Sequence, residues 1–165
     1  MAMEDFLFLS KLSKNMVQIR LATQEDQQII ADFQMKMAME TENFQLDKDT
    51  VNTGVNAVLR DPAKGKYFVA VDNDKIVASL LITFEWSDWR NKWVAWIQSV
   101  YVIEEYRQKG VFRAMYEHIR HWAQKDDEIA GLRLYVDKTN HRAIKVYTKL
   151  GMNGEHYQLF EWMVD

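Results

Sequence analysis

The sequence predicts an α/β (α+β) fold, a mixed sheet flanked by helices, on three observations. Short β-branched runs with period-two alternation recur along the chain, among them Val17-Ile19-Leu21 and Ile76 to Phe84. Other segments place apolar residues at helical spacing, as in Val111, Met115, Ile119 and Trp122. The resulting order, β-α-α-β-β-β-α-β-α-β, has neither an internal repeat nor strict alternation, which suits a mixed sheet better than a doubly wound parallel one.

The elements follow in order. Val17, Ile19 and Leu21 alternate with polar residues, and Thr23 with Asp26 forms a capping box that opens a helix marked by Ile29, Ile30, Phe33 and Met37. A polar, irregular stretch from Glu40 to Lys48 leads to a second helix, capped by Asp49, with Val51, Val55, Val58 and Leu59 on one face and Asp61-Pro62 at its end. Tyr67 to Val71 and Ile76 to Phe84 read as strands joined by the turn Asp72-Asn-Asp-Lys75, and Trp93 to Val102 as the next strand. The helix beginning at Val111 carries Glu117, Arg120, His121 and Gln124 on its polar face. Leu132 to Val136 is a further strand, Asn140 caps a helix over His141 to Leu150 that Gly151 terminates, and Leu159 to Val164 is the final strand.

Composition narrows the function classes. At 165 residues, with 48% hydrophobic content, one proline and six glycines, the chain is expected to be one packed domain without linkers. Met16 directly precedes the first strand, so residues 1–15 are expected to be a peripheral extension and 16–165 the domain. A net charge of −3 gives no overall bias toward nucleic acid or anionic membranes, and neither is expected as a partner. The absence of cysteine excludes disulfides, thiolate metal sites and a cysteine nucleophile. Phe6 to Leu9 is too short to span a bilayer and follows acidic residues, so a cytoplasmic location is expected. His118 and His121 have no evident third ligand, and no metal is expected. No Gly-x-Ser-x-Gly elbow, Walker turn or His-Glu-x-x-His motif occurs.

The most informative stretch is Val100-Tyr-Val-Ile-Glu-Glu-Tyr-Arg-Gln-Lys-Gly-Val-Phe-Arg-Ala114, which runs from strand through a glycine-bearing turn into a helix. Such a turn leaves backbone N–H groups unpaired at a helix N-terminus, where the dipole favours an anion, so a pyrophosphate can dock there. Gly110 lets the backbone approach the phosphates, while Arg107 and Lys109 supply positive charge. A second constellation, Asn140, Ala143, Tyr147 and Gly151, lies 33 to 44 residues beyond Arg107.

Together these residues resemble the GNAT superfamily of N-acetyltransferases over about residues 16–165, and the run from Phe84 to Arg107 resembles the polyamine (spermidine/spermine-type) members most. The resemblance implies a mixed, mostly antiparallel sheet and acetyl-CoA as co-substrate. In the superfamily pattern, Arg or Gln, two residues, Gly, one residue, then Gly or Ala, Arg107 and Gly110 match and Phe112 does not. The resemblance assigns the cofactor to Val100, Tyr101, Val102, Arg107, Gln108, Lys109, Gly110, Val111, Phe112, Arg113 and Asn140, with Ser99 to Val102 splayed from its neighbouring strand. Tyr147 matches the tyrosine that protonates the departing thiolate in many members; a tyrosine at this helical spacing is equally a core residue.

The acceptor side is less determined. An amine with a pKa near ~10 must lose a proton before it attacks. In the polyamine acetyltransferases, acidic residues stand where this chain has Gln98 and Ser99, so Glu85, Glu40 and Glu42 are the alternative bases or acceptor contacts, and each also suits a solvated surface. Phe84 to Trp96 holds four of six tryptophans, and Trp86 and Trp89 with Glu85 and Asp88 suit either an alkylammonium pocket or a dimer interface. Lys138, His141, Arg142, Lys145 and Lys149 suit either the 3′-phosphate end of CoA or a solubilising face. The expectation is a homodimeric acetyl-CoA-dependent N-acetyltransferase acting directly on a small primary amine, polyamine-like or amino-acid-like. The alternatives are a catalytically idle acyl-CoA-binding domain and a protein or peptide N-acetyltransferase.

Overall fold

A computed structural model describes residues 17–164, and the expected extension over residues 1–15 lies outside them. Five strands form one sheet in the order β1-β2-β3-β4-β5: β1 (Gln18–Leu21), β2 (Lys66–Asp72), β3 (Lys75–Ser87), β4 (Lys92–Val102) and β5 (Ile129–Leu134). The first three pairings are antiparallel and β4–β5 is parallel, giving the mixed, mostly antiparallel sheet the sequence implies. Among the described residues there are four α-helices, α1 (Gln27–Glu42), α2 (Lys48–Arg60), α3 (Val111–Lys125) and α4 (His141–Lys149). The chain divides into two compact units at Leu134/Tyr135, and α4 belongs to the second.

Side-chain alternation sorts the sheet into two faces. On one, Tyr67, Val69 and Leu81 pack with Ile30 and Ala31 of α1 and Val55 of α2. On the other, Phe68 and Phe84 meet Trp122 of α3, at ring-centroid distances of 6.4 and 6.3 Å. The apolar stripe predicted for α3 is the buried one, since Val111, Met115 and Ile119 are all in the core. The β2–β3 turn has Asn73 and Asp74 at φ of 45° and 65°, the left-handed pair a two-residue hairpin needs. Gly65, at φ 143°, brings the chain against β3 so closely that a Cβ there would stand 2.5 Å from the Ile82 carbonyl oxygen.

Four sequence expectations are corrected. The cap of α2 is Asp47, whose carboxylate accepts from the Thr50 amide at 2.8 Å; Asp49 sits inside the first turn. Both aspartates suit a helix start, and only the backbone direction separates them. The strand expected over Leu132 to Val136 begins at Ile129 and ends at Leu134, because the ladder starts opposite Trp93 and the β-poor Ala130-Gly131 conceals its beginning. The box of Thr23 and Asp26 opens a 3-10 turn, Gln24–Asp26, that runs into α1. No strand forms over Leu159 to Val164, where Leu159, Phe160, Trp162, Met163 and Val164 are exposed. An apolar run favours a strand only when another backbone pairs with it, and consecutive apolar residues such as Trp162-Met163-Val164 lack the alternation of a half-buried one.

The corner between β1 and α1 is held by a carboxylate. Buried Asp26 accepts from Arg20 at 2.7 and 2.9 Å and from the Thr23 amide at 2.7 Å. The Arg20 hydrogen bonds, opposed by desolvation and aided by Thr23, hold this carboxyl below its usual range. A depressed carboxyl pKa stabilises the fold above the unfolded value, near pH ~4, and that contribution is lost as pH falls through the folded value. Asp26→Asn is expected to cost about 2 kcal/mol at pH 7, less than breaking a fully buried pair because Arg20 is partly exposed. Thermal melts from pH 7 to pH 3 check this: the gap between wild type and variant should narrow as the pH falls.

Candidate active site

The ladder between β4 and β5 ends where Ile97 faces Leu134, yet β4 continues to Val102. Beyond that rung β5 has ended and β4 runs on paired to β3 alone. A β-bulge lies on the other edge of this part of β4. Leu81 faces Gln98 and Ser79 faces Tyr101, so Ser99 and Val100 together oppose Leu80 alone. Ser99 takes φ 50°, a left-handed conformation that a non-glycine residue adopts at a cost of about 1 kcal/mol or more. Such a bulge bends the strand and increases its twist.

From β4 the chain passes through a 3-10 turn, Glu104–Tyr106, into the start of α3. Gly110 is the N-cap at φ 80°, and the space a Cβ would occupy has nothing within 4 Å apart from the adjoining chain. The N–H groups of Val111, Phe112 and Arg113 lie in the first helical turn, where helical geometry supplies no acceptor. Gln108 is also left-handed, at φ 64°. Phe112 is half-buried and lies one turn from Tyr116, ring centroids 6.3 Å apart, while Lys109 rests over the Tyr106 ring.

Arg107 is held inward. Its Nε donates to the Val102 carbonyl at 2.8 Å, an Nη donates to Glu40 at 2.5 Å, and the guanidinium lies 5.4 Å from the Tyr101 ring centroid. The Tyr101 hydroxyl donates to the other Glu40 oxygen at 2.9 Å. Desolvation works to raise the Glu40 carboxyl, but the Tyr101 and Arg107 hydrogen bonds and the guanidinium charge outweigh it and hold the group below the ordinary range. Glu40 thereby ties the end of α1 to the turn. Glu42, two residues on, is exposed. An open depression lined by Met35, Lys36, Met39 and residues 45–48 lies beside this end of α1 and contains none of the sequence-predicted site residues.

Glu85 is on the sheet face opposite α3. Its carboxylate accepts from the Trp96 Nε1 at 2.6 Å and from Arg133 at 3.0 Å, and the Arg133 guanidinium lies 5.8 Å from the Trp96 ring. Gln98, two residues along β4 from Trp96, donates to Thr83 at 2.6 Å. The structure does not gather Trp86 and Trp89 around Glu85. Trp86 pairs with Trp93 on the α3 face, rings 5.0 Å apart, because adjacent strand residues point to opposite sides. Trp89 lies in the β3–β4 turn, 91% exposed. Arg133 and Trp96 were missed by sequence reading; the alternation Leu132-Arg133-Leu134 places Arg133 on a polar face, but only the register brings it to Glu85.

In the second unit, the Asn140 side chain caps α4, accepting from the Ala143 amide at 3.0 Å. Tyr147 is half-buried on α4, and burial pushes its phenol above the ordinary value. Lys138, His141, Arg142, Lys145 and Lys149 are exposed. Among the described residues, no group of three or more His, Cys, Asp or Glu side chains is placed to hold a metal ion, and no helix is long and apolar enough to cross a membrane.

Comparison with known proteins identifies the family and the fold. The model of the acetyltransferase (GNAT) family matches residues 26–152. A possible acetyltransferase from Clostridium difficile 630 is 44% identical, with a TM-score of 0.84 over 92% of this chain and 99% of its own. An aminoglycoside acetyltransferase from an uncultured soil metagenomic sample is 16% identical, with a TM-score of 0.72 over 92% of this chain and 100% of its own. A predicted acetyltransferase from Clostridium acetobutylicum, solved with acetyl-CoA, is 18% identical, with a TM-score of 0.69 over 88% of this chain and 96% of its own. The last two establish likeness of fold. No curated protein matches the sequence. The family match spans β4, the Gly110 turn and α4, and the chain belongs to the GNAT family of acetyltransferases.

Proposed function

We propose that this acetyltransferase moves an acetyl group from acetyl-CoA directly to the primary amine of a small molecule, polyamine-like or amino-acid-like, without an acyl-enzyme. The observation that carries the reading is the end of the β4–β5 ladder at Ile97, with β4 running on into a glycine-capped helix start. The open space at the Gly110 Cβ position suits a phosphate at the helix N-terminus, where Gln108 to Arg113 would hold it, and Val100 to Val102 and Asn140 would hold the arm. Acetyl-CoA supplies the activated acetyl thioester.

The chain's residues then have separable tasks. Backbone N–H groups of β4 after the bulge stabilise negative charge on the acyl oxygen. Glu85 takes the proton that the amine must shed; its two accepted hydrogen bonds leave carboxylate lone pairs for that proton. Tyr147 donates to the sulfur as the C–S bond breaks and the C–N bond forms. Glu40, occupied on both oxygens, positions Arg107. Glu40→Gln is therefore expected to raise the KM for acetyl-CoA about 5- to 10-fold, in line with one lost charged hydrogen bond, and to leave kcat within about 2-fold. Steady-state kinetics decide the point, since a fall in kcat beyond 100-fold would make Glu40 the base instead.

The reading includes a homodimer working in the cytoplasm; exposed Trp89 supports the dimer, and light scattering of the purified protein tests it. The activity itself is tested by calorimetric titration with acetyl-CoA, followed by thiol release with polyamines, amino acids, aminoglycosides and N-terminal peptides. Release with small amines supports the reading. Release with peptides alone moves the protein to the peptide N-acetyltransferases, and binding without release to the idle acyl-CoA-binding class.

A further inference from the structure

Resting on the small-amine reading, we propose that the acceptor carries an anionic group beside its amine, as an α-amino acid does, and that Arg133 selects it. Position is the first argument. Trp96 faces Arg133 one rung before the last, Ile97–Leu134, so the Glu85–Trp96–Arg133 cluster sits at the end of the β4–β5 ladder, where β4 runs on toward the Gly110 turn. Thr83 pairs with Trp96, and Leu81 with Gln98, so Gln98 and Thr83 continue the same face toward the end of β4. An amine that approaches a thioester held along the end of β4 from this face would meet these side chains.

Charge is the second argument. Two of the three candidate carboxylates are offset by arginines, Glu85 by Arg133 at 3.0 Å and Glu40 by Arg107 at 2.5 Å, and the third, Glu42, is exposed at the end of α1. A polyamine would find no net negative charge at either pair and would bring a second cation close to a guanidinium. A zwitterion aligns with the Glu85–Arg133 pair instead, its ammonium toward Glu85 and its carboxylate toward Arg133. The planar guanidinium fork can hold two carboxylates at once, which an ammonium point charge does less well. Both partners are reachable, with side chains 47% and 32% exposed. The remaining acidic candidate on this hairpin, Asp88, turns back onto the Trp89 amide at 2.9 Å.

The test uses matched acceptors in the thiol-release assay: leucine, leucinamide, isoamylamine and spermidine, then acidic and basic amino acids. Leucine or another free amino acid is expected to exceed its amide and spermidine at least ~30-fold in kcat/KM, equivalent to one charge-assisted hydrogen-bonded contact. In Arg133→Gln that preference should collapse about 10-fold or more, with the KM for the amino acid rising far more than that for the amide, and Arg133→Lys should restore part of it. Calorimetric binding of the amino acid to the CoA-saturated protein, lost in Arg133→Gln, gives a second readout. Spermidine or the amides turning over as well as free amino acids would overturn the proposal and leave the small-amine reading standing, as would Arg133→Gln lowering both classes equally. Release with none of these amines, while acetyl-CoA binds, would overturn both.

Discussion

Tyr147→Phe is expected to lower kcat about 100-fold while the affinity for acetyl-CoA and the melting temperature stay near wild type. The magnitude is that of losing one positioned proton donor. The change keeps the ring and removes only the hydroxyl, so a tyrosine that merely fills the core would show little loss of turnover. Burial raises this phenol above its ordinary value near ~10, so the protonated, donating form persists to higher pH than a free tyrosine's would. In wild type, kcat should therefore show no alkaline loss attributable to this group below about pH 10. The measurement is a pH–rate profile of both proteins beside a calorimetric titration with acetyl-CoA. Turnover unchanged in the variant would remove Tyr147 from the chemistry.

The legible parts of the fold were those in which local pattern and tertiary environment agree. The stripe Val111, Met115, Ile119 in α3 is both amphipathic and buried, and the Asp72 to Lys75 turn has the residues its left-handed backbone needs. Failures occurred where pairing decides. Leu159 to Val164 has strand-like composition without a ladder, and the ends of β5 are set by β4 through a register that no single strand encodes.

The site divides in the same way. Gly110 was legible because a left-handed helix cap selects glycine, and Asn140 because capping selects short polar side chains. The bulge at Ser99 was not, since serine is a poor marker of a positive φ and the extra residue exists only relative to β3. The same holds for the inward turn of Arg107. Sequence motif places its charge at the phosphate turn, but Glu40 lies 67 residues away and meets it only through the packing of α1 on the sheet. Grouping the tryptophans by nearness in sequence ignored alternation, which sends Trp86 and Glu85 to opposite faces.

Gly110→Ala separates a glycine needed for the fold from one needed by the cofactor. At φ 80° an alanine costs about 1 to 2 kcal/mol of backbone strain, which a domain of this size shows as a drop of several degrees in melting temperature. Apart from its immediate chain neighbours, nothing lies within 4 Å of the added methyl, so the folded state survives the change. A phosphate drawn to the first-turn N–H groups would occupy that same space and be displaced. Losing one hydrogen bond to a charged group costs about 2 kcal/mol or more, so acetyl-CoA affinity should fall roughly 30- to 100-fold. Calorimetry with acetyl-CoA and a thermal melt on the same sample make the distinction. A lower melting temperature with unchanged affinity would mean that the turn shapes the backbone without touching the phosphates, and the cofactor would then have to be sought elsewhere along β4.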